Sequence, residues 1–251
     1  MVLLGEVHDN ADQHRQRLEV LRRAFAAGWR PAIAMEQLDR DRQAEVERAR
    51  RERPGDAGHV LALAAAVPSV PGRGWNWDFY RPFVELALEY DVPLAAANLS
   101  DAETGKVARG GFDAVFTPES MATLGLNAAI PLPLQAAQER EIDAGHCNAL
   151  PASMWPAMAR AQMARDAVMA AVVREFAARG VVLLAGNGHV RRDIGVPRWL
   201  TPALADRSLS VGYLEGGDAG AAPAFYDAVV WTAAVQRPDP CAGFKKRNAK
   251  P

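Results

Sequence analysis

The sequence predicts an α/β fold with a mostly parallel central sheet flanked by helices and carrying helical insertions. Short apolar runs alternate along the chain with longer segments in which apolar residues recur every three or four positions. This alternation is typical of βα units. In addition, several of the apolar runs end directly in polar residues, as expected where parallel strands deliver side chains to one edge of a sheet.

The elements follow in order from these patterns. Strands are predicted at residues 2–4, 31–35, 92–97 and 181–185, and further strands at 114–116, 209–214 and 228–231. Helical spacing predicts helices at 12–27, where Gly28 ends the pattern, at 79–90, with Pro82 in the first turn, and at 153–178. Residues 39–73 are interpreted as a charged helical insertion ending near Pro68, Pro71 and Gly72, and residues 100–152 as a proline-interrupted insertion.

These elements predict one domain over residues 1–236 and a flexible C-terminal tail over 237–251. The tail holds most of the lysines of the chain and resembles a solvated end. The two cysteines, Cys147 and Cys241, lack the spacing of a zinc cluster and are too few for a disulfide framework. They are therefore predicted to be unpaired.

Composition excludes several classes of protein. With 29 Lys and Arg against 30 Asp and Glu, the net charge of -1 argues against nucleic acid as a partner. No segment approaches the roughly 18–20 apolar residues of a membrane span. The sequence also has no serine-hydrolase elbow, nucleotide-binding loop or zinc-protease helix motif.

Polar residues at strand ends form the candidate site. A Gly-x-x-His tetrapeptide follows two of the predicted strands, at residues 5–8 and 186–189, and so places His8 and His189 at one rim of the sheet. Two other strands end in Glu36 and Asn98, and Glu6 precedes His8. Two imidazoles and a carboxylate are a ligand set for a divalent metal, here His8, Glu36 and His189. The same groups also suit general acid–base catalysis, with a carboxylate orienting a histidine base.

Other polar residues are expected near this rim. His14 lies on the first helix, six residues after His8, and Asn187 lies within the second tetrapeptide. Asp166 interrupts the apolar face of the helix at 153–178, so it is expected to bond a loop or a histidine. His146 stands beside Cys147, but adjacent residues rarely present both side chains to one substrate, so this pair is not assigned as a nucleophile.

The motifs together resemble the ChaN-like, iron-regulated haem-binding proteins of the wider Tiki, TraB and erythromycin-esterase-like superfamily. The resemblance covers residues 3–200. It rests on the following segments: Gly-Glu-Val-His-Asp-Asn from residue 5, Met-Glu-Gln around Glu36, Tyr-Arg-Pro from Tyr80, Asn98, Arg165 with Asp166, and Ala-Gly-Asn-Gly-His up to His189.

The resemblance implies a bacterial protein, exported or membrane-anchored, that binds haem in haem or iron uptake, with a homodimer as a possible assembly. The printed chain opens on its first strand, without a leader or a nearby cysteine for lipid attachment, so its location is left open. By the resemblance, the shared motif positions are Glu6, His8, Glu36 and His189, and the residues expected around the cofactor are Tyr80, His14, Asn98, Asn187 and Asp166.

Two functions remain open at this stage. The first is haem binding, with an iron ligand among the tyrosines and histidines. The second is hydrolysis of an ester or peptide bond by a divalent metal or a histidine base at the same rim. A binding module with a vestigial site is a third alternative.

Overall fold

The computed structural model describes residues 1–65, 74–216, 223–239 and 241–242. Its core is a six-stranded sheet in which every neighbouring pair of strands is parallel. The strands are β1 (Val2–Leu4), β2 (Ala32–Asp39), β3 (Leu94–Asn98), β4 (Val181–Leu184), β5 (Leu209–Glu215) and β6 (Ala228–Thr232). The predicted α/β class is thereby confirmed.

Helices cover both faces of the sheet. They are α1 (Ala11–Ala26), α2 (Gln43–Glu52), α3 (Ala57–Ala64), α4 (Trp77–Glu89), α5 (Asp101–Gly110), α6 (Pro118–Leu124), α7 (Leu132–Gly145), α8 (Trp155–Glu175), α9 (Asn187–Val190) and α10 (Pro202–Asp206). No helix in the described part of the chain is both long and apolar enough to cross a membrane.

Alternating residues of each strand feed two different cores. Leu4, Ile33 and Leu184 face helices α1 to α4, whereas Leu3, Ala34 and Leu183 face α8, which contributes Met169 and Val173. This period of two is the signature of a sheet buried on both faces. The second face is rich in alanine, and small side chains allow α8 to lie close to the strands.

The strand order is β3-β2-β4-β1-β5-β6. After β1, the strands β2 and β3 are added on one side, with a space left between β1 and β2. Strand β4 then fills that space, and β5 and β6 are added on the other side of β1. The direction of winding therefore reverses at β1 and β4. In parallel sheets a crevice forms at the carboxyl ends of the strands at such a reversal.

The structure corrects one predicted strand. Residues 112–114 form a short 3-10 turn in place of the strand predicted at 114–116. Gly111, at φ 91°, ends α5 directly before this turn, a position that glycine adopts readily. Phe116 is buried in a small cluster with α5, α6 and α8, and the partly buried Phe112 and Val115 pack against it, so this segment packs on the helices without entering the sheet.

The prolines of residues 100–152 begin helices. Pro118 and Pro133 stand in the first turns of α6 and α7, and Pro131 precedes α7. Proline is tolerated there because the first amides of a helix have no partner within it. The predicted helical insertion at 39–73 contains α2 and α3, while Pro68, Pro71 and Gly72 lie outside the described residues.

The prediction that both cysteines are unpaired is wrong. Cys147 and Cys241 form a disulfide with a Cα–Cα distance of 5.6 Å. Before it, Arg237 forms ion pairs with Asp9 and Glu215 at 2.6 and 2.7 Å. These contacts tie the start of the segment predicted as a tail to the domain. The boundary at residue 236 and the flexibility of residues beyond it stay predictions.

Candidate functional site

The carboxyl ends of β1, β2 and β4 meet at the winding reversal and carry most of the predicted site. Glu6 and His8 follow β1, Glu36 lies within β2, and Gly186 and His189 follow β4. Strand β2 extends beyond its predicted end, and its pairing with β3 shifts register between Met35 and Asp39. Glu36 therefore points into the site from the strand itself.

Glu6 is the buried centre of the first half of the site. Its carboxylate accepts hydrogen bonds from the Tyr80 hydroxyl at 2.5 Å and from His8 Nδ1 at 2.8 Å. The other carboxylate oxygen forms an ion pair with Arg17, whose side chain is fully buried. Burial lowers the pKa of Arg17 to about 10, so the guanidinium remains charged at neutral pH and balances the charge of Glu6.

Arg17 is a site residue that the sequence interpretation missed. It stacks over the ring of Phe83 at 5.5 Å and lies on α1 in register with His14, Leu21 and Phe25, which are all buried. These positions are three or four residues apart, so they share one face of the helix. The signal was therefore a charged residue on an apolar helix face.

His8 is the exposed member of this half. Its side chain is 49% exposed, and its Nδ1 is held by Glu6. The ring meets the edge of Trp75 at 4.9 Å between centroids. Burial of part of the ring lowers the pKa of His8, while Glu36 opposes that shift. His8 is thus a neutral imidazole at pH 7 with its second nitrogen available.

His14 supports His8 from below. Asn10 caps the start of α1, which turns His14 back under the rim as predicted. Its Nε2 lies 3.0 Å from the carbonyl oxygen of His8, and its ring stacks on Phe79 at 4.7 Å. Burial lowers the pKa of His14. His14 is therefore a buried neutral ring that positions the backbone of His8.

His189 forms the second half of the site and lies between two carboxylates. Its Nδ1 is 2.6 Å from Asp166, and its Nε2 is 3.3 Å from Glu36. Burial opposes the charged ring, but Glu36 and Asp166 outweigh burial and raise the pKa of His189 to about 9. The expected hydrogen bond of Asp166 to a histidine is confirmed, and His189 is an imidazolium at neutral pH.

Glu36 is held by three donors. Its carboxylate accepts from Arg165 at 2.9 Å and from the Gly186 amide at 2.7 Å, in addition to His189. Burial opposes its ionisation, but His189, Arg165 and His8 outweigh burial and hold the pKa of Glu36 below its ordinary value. Asn98 accepts from Arg165 Nε at 2.9 Å, so Asn98 orients the guanidinium.

Asn187 is engaged differently. Both ends of its amide bond the backbone of Tyr213, at 2.5 and 3.0 Å. It thereby joins the loop after β4 to β5. Tyr80 is fully buried, and burial raises its pKa above the usual range. The cofactor-binding roles predicted for these two residues stay predictions.

A cavity of about 460 Å³ opens on the site, which is within the range of small-molecule sites. Its lining joins the strand ends to α7 and includes His8, Gln138, His146, Asp166, Gly186 and His189. Gln138 was missed by the sequence interpretation; it donates to Asp166 at 3.3 Å and to the Ile194 carbonyl at 3.1 Å. No local pattern in the sequence places α7 at this edge of the sheet, so Gln138 could be assigned to the site only from the fold.

The metal set predicted from His8, Glu36 and His189 is only partly assembled. Glu36 and His189 are adjacent, but they bond each other and Arg165. Within the described ranges, no group of three or more histidine, cysteine, aspartate or glutamate side chains is arranged to hold a metal ion. A divalent metal at these residues stays a prediction.

Gly186 allows His8 to lie against the loop after β4. A Cβ at Gly186 would stand 2.8 Å from His8 Cε1 and 3.1 Å from Nε2. We expect Gly186→Ala to push the ring off Glu6 and to cost about 1 kcal/mol, because a half-exposed ring can move aside. NMR resonances of the His8 ring measure its displacement, and urea unfolding measures the loss of stability.

Gly188→Ala is the control, since nothing lies within 4 Å of its Cβ position. Equal shifts of the His8 ring resonances in both variants would contradict the assignment.

Comparison with known families identifies the class of protein that this fold and site define. Residues 1–200 match the family described as haem-binding uptake, Tiki superfamily, ChaN. The chain therefore belongs to the ChaN-like haem-binding family, as the motifs predicted. No curated protein matches the sequence.

The comparison with one solved structure supports the fold. The structure of cofacial haem binding to ChaN of Campylobacter jejuni superimposes with a TM-score of 0.65 at 19% identity, covering 86% of this chain and 82% of that chain. A mutant of the erythromycin esterase EreC in its open conformation gives a TM-score of 0.45 at 12% identity, covering 99% and 79% of the two chains.

Proposed function

We propose that this protein binds haem in the cavity at the strand ends and that His8 ligates the iron, as part of haem or iron uptake and handling. One observation carries the proposal. A neutral, half-exposed histidine lines a cavity of about 460 Å³ with Nδ1 held by a buried carboxylate, in a chain of a haem-binding family.

The residues present fit this cofactor. Histidine is a common axial ligand of haem iron, and a ligating histidine characteristically donates its other ring nitrogen to a carboxylate or carbonyl. The Glu6 contact to His8 has this form, and the ion pair with Arg17 holds the carboxylate in place. When bound, haem would supply the iron centre, and these residues would fix the ligand's tautomer and orientation.

We assign Tyr80 to supporting Glu6. Its hydroxyl donates to Glu6 within the core, and its side chain has no exposed surface, so it would have to leave the core to reach an iron atom. The more accessible His8 is the better ligand. The roles of Asn98 and Asp166 are likewise to orient Arg165 and His189 at the cavity wall.

Export from the cytoplasm is part of the proposal. The disulfide between Cys147 and Cys241 supports it, because disulfides persist in oxidising compartments and are rare in the cytosol. Homodimer formation is proposed from the resemblance to the family.

Haemin titration tests the proposal. We expect the wild-type protein to give a saturable shift of the Soret band with one haem per chain. His8→Ala should weaken haem binding by at least about tenfold. Loss of an outer-shell partner alone lowers metal affinity by about 10–100-fold, and His8 is proposed as the ligand itself. His59→Ala is the control, since His59 lies on α3 and bonds Glu52, away from the cavity lining. A non-saturating response in the wild type would overturn the proposal.

Hydrolysis is the second candidate function, and the contact between His8 and Glu6 favours it. A neutral histidine oriented by a carboxylate is also the form of a general base, and His8 has both properties. If this candidate holds, purified protein cleaves model esters or peptides, with or without an added divalent metal, and His8→Ala lowers the rate by roughly 10²–10⁴-fold. Protein that is inert under all these conditions excludes it.

A further inference from the structure

A second cavity, of about 470 Å³, lies apart from the cavity at the strand ends. It opens between the end of α6, the start of α7, the end of α8 and the short 3-10 helix Val196–Trp199. Helix α8 borders both cavities, but Asp166 lines the first and Arg174 the second, about 12 Å farther along the helix axis. No residue of the described chain lines both cavities.

The wall of the second cavity is mainly apolar. Its large apolar side chains are Leu124, Ile130, Leu134, Trp199 and Leu200. The three leucines among them are buried, so packed side chains form this wall. At its rim the apolar surface continues outward, because Leu132 follows the lining residue Pro131 and is 81% exposed. A wall of this kind is suited to the apolar body of a small molecule.

Two arginines, Arg174 and Arg198, also line this cavity, and its described lining contains no acidic residue. Arg174 donates from Nη1 to the carbonyl of Trp199 and from Nη2 to the carbonyl of Thr123, both at 2.8 Å. Both acceptors belong to lining residues, so the guanidinium lies in the cavity wall. These two bonds leave three of the five N–H groups of a guanidinium for a further acceptor.

Neither arginine forms an ion pair with a carboxylate in the described part of the chain. Burial lowers the pKa of Arg174, and no neighbouring acid opposes that shift. By contrast, the part-buried Arg191 is paired with Glu141 and Asp193, which outweigh burial and raise its pKa. A partly buried positive charge without a counter-ion is unfavourable. It favours an anionic ligand, since charge-assisted hydrogen bonds are the strong ones.

We propose that the second cavity binds a small organic anion with an apolar tail, a carboxylate of the fatty-acid kind. The carboxylate lies against Arg174 and Arg198 and supplies their missing counter-ion. The tail covers the apolar wall formed by the leucines and Trp199. This site is separate from the proposed haem site, so the two proposals stand or fall independently.

Calorimetric titration with matched ligands tests the proposal. The probe is decanoate, kept below the concentration at which it forms micelles. We expect saturable binding of one decanoate per chain. Decyltrimethylammonium has the same tail and the opposite charge, and acetate has the same head without the tail. Each should bind at least about tenfold more weakly than decanoate, because one lacks the charge contact and the other the apolar contact.

Charge-reversal variants locate the site. Arg198→Glu should weaken decanoate binding at least about tenfold, since a cation in the wall becomes an anion. Arg198 is exposed and forms no hydrogen bond or ion pair in the described chain, so folding should be unaffected, and circular dichroism verifies it. Arg22→Glu is the control, because it makes the same charge change at an exposed position of α1, which packs on the other face of the sheet. Its effect should stay within about twofold.

Three results would overturn the proposal. The first is equal binding of decanoate and decyltrimethylammonium, and the second is Arg198→Glu binding decanoate as tightly as Arg22→Glu. The third is binding to phosphatidylglycerol vesicles without binding of monomeric decanoate, which would assign this surface to a membrane.

Haemin separates the two sites. Protein saturated with haemin should bind decanoate with unchanged affinity. Displacement of decanoate by haemin would refute the separate site while haem binding stands. Absence of saturable haemin binding, with decanoate binding retained, would overturn the proposed function and leave this inference in place.

Discussion

Arg17→Met is expected to destabilise the protein by about 3–5 kcal/mol, the cost of removing one partner of a buried ion pair. Arg17 and Glu6 have no exposed side-chain surface. Without the guanidinium, the Glu6 carboxylate would remain buried with only the Tyr80 hydroxyl and the two histidines beside it. The variant therefore leaves an uncompensated charge in the core, and urea unfolding measures the loss.

Two further variants isolate the cause. Arg15→Met on the same helix removes an arginine that is 66% exposed and paired with Asp12, and it should change stability by no more than about 1 kcal/mol. The double variant Glu6→Gln with Arg17→Met removes both charges and should recover much of the loss. If Arg17→Met costs no more than Arg15→Met, the buried ion pair is not what holds Glu6.

Stability is expected to fall between pH 6.5 and pH 9 because of His189. An unfolded histidine has a pKa near 6.5, and Glu36 and Asp166 raise the pKa of His189 in the folded chain, against burial, to about 9. The folded state thus binds the proton more tightly. The resulting stabilisation is complete below pH 6.5 and is lost as the pH rises through 9. It amounts to about 3 kcal/mol at most.

Unfolding free energies measured across this pH range check the expectation. Wild type should lose stability steadily from pH 6.5 to 9, and His189→Gln should show a much smaller slope. Asp166→Asn, which removes one of the two carboxylates, should give an intermediate slope. The titratable and charged groups around the ring are the carboxylates Glu36 and Asp166, the guanidinium of Arg165 and the neutral imidazole of His8. A wild-type curve that is flat over this interval would contradict the assignment of His189 as an imidazolium.

The two Gly-x-x-His segments reach opposite charge states by the same physical rules. His8 has one carboxylate neighbour at hydrogen-bond distance, which already belongs to an ion pair with Arg17, so burial dominates and the ring stays neutral. His189 has two carboxylate neighbours, and their charge exceeds the burial penalty. One histidine is therefore available as a ligand or base, while the other neutralises the cavity wall.

The strand ends were predictable because parallel strands leave little choice. Once apolar runs are assigned to a parallel sheet, the residues after them must meet at one edge, and this located Glu6, His8, Glu36 and His189 correctly. The buried position of Asp166 also followed from the spacing on its helix. Local sequence patterns were sufficient for these assignments.

The rest depends on contacts between distant segments. The helix spacing places Arg17 on an apolar face, but its partner Glu6 is identified only once the fold brings the two together. The role of Gln138 likewise requires the position of α7. Cys147 and Cys241 are separated by 94 positions, so nothing local indicates their pairing. In the sequence Pro118 and Pro133 interrupt the helical periodicity, whereas in the fold they lie in the first turns of helices α6 and α7.

Iron anomalous scattering from crystals grown with haemin tests the central claim most directly, because it locates the metal without assuming a ligand. The account predicts one iron peak per chain inside the cavity lined by His8, Gly186 and His146, at coordination distance from His8 Nε2. An iron peak at Tyr80, or at any site outside this cavity, would contradict it.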